Sequence, residues 1–211
     1  MKKNVSKSKA KKTAAKKPVI VPVVEDRRVW TRKLIVGIVL WLVPCALIWM
    51  LLTPIYNPFL TKATENLVRI TESPSVTRLL NKAPHHFLIS RTDVPAPKGW
   101  LTSVRVTDTH FPLVMMMAFF LAVPGLPWRT KLQNLGWAFL FLVFFHILSL
   151  FLWVKFVYAT QLGEFSMTQY NAFQRNFWGL SKHLADLPFK LGMPLILWTA
   201  FYIRAILPPR T

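Results

Sequence analysis

Residues 34–53 read "LIVGIVLWLVPCALIWMLLT", twenty consecutive positions without a charge. As an α-helix this stretch is about 30 Å long, the thickness of a bilayer's hydrocarbon core. A helix on a soluble protein needs a polar face, and this run has none. Its reading decides the fold class: a mainly α, polytopic membrane protein. The composition agrees, with 53 % apolar residues, 9 Trp and 16 Phe gathered largely in long blocks.

Upstream, residues 1–33 hold 12 Lys/Arg against Glu25 and Asp26, more than half of a net charge of +19. "MKKNVSKSKAKKTAAKK" lacks the apolar surface to offset its ordering entropy, so residues 1–33 are expected to be a disordered basic cytoplasmic tail. "PVIVPVVEDRR" should be an extended spacer, because Pro18 and Pro22 disfavour helix. A Lys-rich arm directly before a membrane segment points to anionic lipid headgroups and a topology signal, and no nucleic-acid partner is expected. A cleaved signal needs a small-x-small site after a short core, and a lipoprotein signal needs a small residue before its cysteine. Here Pro44 precedes Cys45 and the apolar run continues, which leaves an uncleaved anchor.

Downstream, the first transmembrane helix is expected over 34–56, kinked at Pro44. "TPIYNPF" should end it, with Tyr56 at interface height. Residues 57–110 are polar and mixed in charge, with seven Lys/Arg and four Asp/Glu. They predict a small α+β extracytoplasmic segment. "TKATENLVRITESPSVTRLLNKA" reads as one or two amphipathic helices with Leu67, Val68, Ile70, Leu79 and Leu80 on the stripe, broken at Ser73-Pro74. "HHFLIS" and "GWLTSVRVTDTHF" read as two short strands joined through "RTDVPAPKG".

The second span is expected over 111–127, a marginal length, with Pro112 in its first turn and "PGLPW" as its stop. A cytoplasmic turn follows at 128–134, then a third span at 135–158. Residues 159–189 are amphipathic and aromatic, an extracytoplasmic interfacial helix or loop. The fourth span covers 190–207, and 208–211 form a cytoplasmic end. The positive-inside rule places both termini in the cytoplasm; the seven cations of 57–110 oppose this, but a 12-charge tail beside the first span dominates.

Candidate chemistry is sparse. A single cysteine excludes an intramolecular disulfide and a Cys-based zinc site. Cys45 lies about 16 Å into the first helix, near midplane, where a thiolate lacks water and an activating cation, so packing is its expected role. His146, inside "FFHILSL", is the intramembrane polar candidate; a neutral imidazole there can also bond Ser149 or a carbonyl. Lys155 and Arg204 near span ends can snorkel. His85-His86 lacks a metal-binding spacing. With Glu164 and Asp186 the only acids after Asp108, no acid–base pair stands out, so no enzyme activity, cofactor or metal is expected.

The order of these pieces resembles the exosortase H-associated membrane protein family. The likeness runs over residues 30–207. It rests on "WLVPCALIWMLLTPIYNPF", "VTRLLN", "VRVTDTHFPLVMMMAFFLAVP" and "FKLGMPLILWTAFYI", with Pro44, Cys45, Pro112, Pro194 and Trp198 as markers. The resemblance implies a bacterial inner-membrane accessory of a sorting system, partnered by an exosortase and its sorted substrates. Exosortases are associated with a glycine-containing cysteine context, whereas this chain has Pro44-Cys45-Ala46, so the resemblance is to the accessory rather than the protease. Two other classes follow from the residues: a thiol enzyme pairing Cys45 with His146, and a transporter subunit with His146 lining a path.

Overall fold

The structure, a computed structural model, describes residues 27–82, 86–94, 102–105 and 110–206. The basic tail before Arg27, His85, most of "RTDVPAPKG" and the end after Ile206 lie outside these residues. The chain is mostly helical, with a small three-stranded sheet. Helix α1 (Arg27–Ile70) leads into β1 (Thr77–Lys82), β2 (His86–Arg91) and β3 (Thr102–Arg105). Then come α2 (His110–Ala122), α3 (Trp128–Thr160), α4 (Glu164–Gln169), α5 (Ala172–Leu184), a π-helical turn (Ala185–Phe189) and α6 (Lys190–Ile206). Three helical runs, Arg27–Ile70, Trp128–Thr160 and Ala172–Ile203, are long and apolar enough to cross a membrane.

Helix α1 corrects the expected stop at residue 56. Its 44 residues pass through Pro44, Pro54 and Pro58 without ending, a length of about 66 Å. Each proline removes one backbone hydrogen bond, yet its fixed φ suits a helix, so a packed helix can absorb the gap. Thr53 and Thr61 donate their hydroxyls to the carbonyls of Trp49 and Asn57 beside these gaps. Arg27 and Arg28, expected to end the extended spacer, are already helical, and the rest of that spacer lies outside the described residues. Below Tyr56 the helix shows a broad apolar surface, with Leu51 79 % and Ile55 72 % exposed. Beyond Tyr56 it carries Lys62, Glu65 and Arg69.

Residues 77–82 form a strand, not the expected helix. The adjacent Leu79 and Leu80 fit a helical stripe, but alternation decides: Thr77 and Leu79 are buried, Arg78 and Leu80 exposed. The sheet is antiparallel in order β1-β2-β3, with Leu79 opposite Ile89 and Phe87 opposite Val104. These four apolar residues and Thr77 make its buried face. The two strands read from the sequence appear as β2 and β3.

The free edge of β1 is closed by α1 and the turn that follows it. Thr77 and Leu79 are two apart, so their N–H groups point to the same edge. Glu65 Oε2 accepts the N–H of Leu79 at 2.8 Å, and Glu72 Oε2 accepts that of Thr77 at 3.3 Å. Two carboxylates thus pair donors that would otherwise template another strand.

The helices alternate in direction. At one end of α2, His110 bonds Asn57 of α1. At its other end, a Cβ on Gly37 would stand 3.2 Å from Ala122. Helix α2 therefore runs antiparallel to α1 along most of the apolar run, although its 13 residues are only about 20 Å. It is enclosed by α1, α3 and α6, with Leu113, Met116 and Phe120 fully buried. Helix α3 returns, from the Trp41–Trp128 ring contact at 5.7 Å up to Tyr158 beneath the sheet. It begins at Trp128, seven residues before the expected span. The residues expected as a turn form its first two turns, and Lys131 Nζ donates to the Leu121 carbonyl at the end of α2, satisfying a terminal acceptor.

The 159–189 segment is helical. Asn171 and Gln174 form a reciprocal capping box that starts α5. The π turn holds Pro188 and joins α5 to α6 in one helical run, as such turns often do where proline interrupts the ladder.

Candidate functional site

The site starts from His146. On α3 it faces inward, 1 % exposed, and its Nδ1 shares a hydrogen bond of 2.8 Å with the Tyr56 hydroxyl of α1. Tyr56 is thus buried between the helices. The partner of His146 is this phenol, not Ser149. Trp49, one heptad before Tyr56 on the same helix face, packs edge-on against it at 4.8 Å between ring centres. His110, the first residue of α2, packs against both rings and donates from Nε2 to Asn57 Oδ1 at 2.8 Å. Phe139 of α3 closes the group.

Three helices therefore meet at one aromatic and imidazole cluster. His146 Nε2 and Trp49 Nε1 are buried without a hydrogen-bond partner among the described residues. Each such group costs about 1–3 kcal/mol, against which the surrounding ring packing must act.

A second polar cluster joins the sheet to the helices. Tyr158 donates its hydroxyl to Thr77 Oγ1 at 2.6 Å, because the Thr77 hydroxyl proton is committed to Glu72 Oε1, also at 2.6 Å. Arg91 of β2 donates to the same Glu72 oxygen at 2.9 Å. Its remaining fork holds both oxygens of Asp93 at 2.9 and 2.7 Å. The guanidinium lies over the rings of Tyr158 and Phe165, at 4.7 and 4.9 Å. Hydrogen bonds from Arg91 hold the Asp93 carboxyl below its ordinary value, against a smaller opposing effect of burial. The network ties the turn after α1, β1, β2, α3 and α4 together.

A third contact fastens α5 to α3. Trp153 Nε1 donates to the Asp186 carboxylate at 3.0 Å, Lys182 pairs with the same carboxylate at 2.9 Å, and the Lys182 ammonium sits 4.2 Å over the Trp153 ring.

Among the residues singled out from the sequence, Cys45 is 1 % exposed. His146 is held by Tyr56, eleven residues further along the same helix, about 16 Å at helical rise. The structure does not bring Cys45 and His146 together. Pro44 is half-buried within α1; Pro112 is buried in the first turn of α2, and Pro194 is buried inside α6. Trp198 Nε1 is buried without a hydrogen-bond partner among the described residues, its ring 6.4 Å from Phe119. Lys155 corrects the snorkelling expectation: it is 7 % exposed, turned inward over the Phe151 ring at 5.6 Å. The Arg204 side chain lies outside the described residues, as does His85. His86 Nδ1 is buried without a hydrogen-bond partner among the described residues. No group of three or more potential metal ligands occurs among the described residues.

Sequence reasoning missed the Glu72–Arg91–Tyr158 network entirely. One signal was available: acids are rare in this chain, and each in 57–110 has a cation within reach of a short loop. The pairing of Tyr56 with His146, ninety positions apart, had no local signal. No protein-family model, no curated protein and no solved structure matches the chain.

Proposed function

We propose that this protein is a non-enzymatic accessory of an exosortase-dependent envelope protein-sorting system. It sits in the bacterial inner membrane with four crossings and both termini cytoplasmic. The observation that carries this reading is the mounting of the sheet. Glu65 and Glu72 close one edge, Arg91 of β2 binds Glu72 in the turn that follows α1, and Tyr158 reaches up from α3. A sheet held so firmly at the end of a 44-residue helix is a rigid surface presented beyond the apolar layer, which suits contact with a partner such as an exosortase or its substrates. Four crossings are supported by α2, whose ends meet α1 near Asn57 and at Gly37. The basic tail on anionic headgroups belongs to the same orientation.

A clean deletion tests the reading. Processing of substrates that carry a C-terminal sorting signal should fall, and the full chain should co-purify with the exosortase or its substrates in mild detergent. Normal processing in the deletion overturns it.

A further inference from the structure

We propose that the groove between α1 and β1 binds the phosphate-bearing headgroup of an anionic phospholipid. The groove has a volume of about 440 Å³ and is lined by Lys62, Glu65, Arg69, Arg78 and Asn81, with Pro58 at its lower end. Its charge is unbalanced: three cations face one carboxylate. That carboxylate is already engaged by the Leu79 N–H and by Lys62 at 2.6 Å, while Arg69 stands 4.0 Å away. Three cations thus line one concavity with a single carboxylate to share between them, Arg78 makes no ion pair among the described residues, and phosphate is the anion that Arg forks recognise best.

Position selects a lipid. Pro58 stands two residues beyond Tyr56, where the apolar run of α1 has ended. Residues 51, 55, 59, 62 and 69 recur at helical spacing and share one face of α1. The lower three, Leu51, Ile55 and Phe59, are exposed apolar side chains, and Lys62 is exposed above them. This face offers an acyl chain an apolar track that leads directly to a cationic groove. An added peptide strand is a poorer occupant, because the β1 edge donors at Thr77 and Leu79 are already paired.

The test uses the full chain, purified in neutral detergent and reconstituted in phosphatidylcholine bilayers with or without phosphatidylglycerol. Native mass spectrometry counts retained phosphatidylglycerol in the wild type, in Arg69→Gln/Arg78→Gln, and in Arg27→Gln/Arg28→Gln as a control at the other end of α1. The groove variant should lose a tightly held phosphatidylglycerol, with affinity down about 10-fold or more. The control should keep it. Both groove arginines are exposed, and an unchanged circular dichroism spectrum will confirm folding. Retention equal to wild type in the groove variant overturns the proposal. So does displacement of the lipid by inorganic phosphate at matched concentration, which would make the ligand a soluble phosphate. Binding of phosphatidylcholine as tightly as phosphatidylglycerol overturns it too.

Discussion

The Tyr56 hydroxyl and His146 Nδ1 stand 2.8 Å apart, joining α1 to α3 across ninety residues of sequence. Removing the hydroxyl with Tyr56→Phe leaves a buried imidazole nitrogen without its partner. Stability in detergent should fall by about 1–2 kcal/mol, near the upper end for polar contacts between membrane helices. In a double-mutant cycle with His146→Leu, the two losses should be less than additive by about 0.5–2 kcal/mol. Strict additivity would mean that the bond contributes nothing.

Arg91 and Glu72 are both almost fully buried, with side chains 8 % and 5 % exposed. Arg91→Ala leaves a carboxylate buried without its cation, a change that costs about 3–5 kcal/mol. Arg91→Met combined with Glu72→Met should recover most of that loss, because the uncompensated charge is gone. Hydrogen exchange of the β1 and β2 amides is the direct readout. Equal protection in Arg91→Ala and wild type would show that the sheet is held by apolar packing alone.

Asp93 gives the sheet end a pH dependence. Its carboxyl is held low by Arg91, so the unfolded form takes up a proton before the folded one does. Its contribution is therefore fully present above the ordinary carboxylate value, about pH 4, and is lost as pH falls through the lower folded value. Exchange protection of the β2 amides should be flat from neutrality to about pH 5 and should weaken below about pH 4. In Asp93→Asn this part of the acid response should disappear.

Gly37 and Gly136 make a matched comparison. A Cβ at Gly37 would meet both the backbone and side chain of Ala122, whereas one at Gly136 would meet nothing within 4 Å. Gly37→Val should destabilise the protein by about 1–3 kcal/mol by forcing α1 and α2 apart. Gly136→Ala, in an open helical position, should be neutral or stabilising by up to about 1 kcal/mol. Thermal unfolding of both variants in one detergent compares them directly.

Cys45→Ala separates packing from chemistry. Deletion of one buried sulfur should cost about 1 kcal/mol in stability. Substrate processing in cells should be unchanged at matched protein level. Loss of processing with normal folding would instead support the thiol-enzyme alternative, despite the separation along α1 between Cys45 and Tyr56, the partner of His146.

Much of the architecture was legible because lipid imposes a one-dimensional rule. A run such as Leu34–Thr53 must be helical wherever it sits in a bilayer, since every backbone group needs an internal partner. The same rule located α3 and α6, and β-branched and aromatic content located β2 and β3. It gave no help where helices leave the apolar layer. Pro54 and Pro58 read locally as a stop, yet α1 continues to Ile70, where Glu65 meets the edge of β1. "TRLLNK" was ambiguous between a helical stripe and a strand until Phe87, Ile89 and Val104 supplied a face to join.

The sequence alone therefore determined that this is a helical membrane protein, that Cys45 and His146 lie within apolar helices, and that residues 57–110 stand apart from those helices in polarity. The tertiary structure decided which polar groups meet: Tyr56 with His146, Glu72 with Arg91 and Thr77, and Glu65 with the edge of β1. The reason is physical. Hydropathy depends on neighbours along the chain and is written in order, whereas a hydrogen bond between distant side chains depends on helix rotation and depth. Those are fixed only when α1, α2 and α3 have packed together.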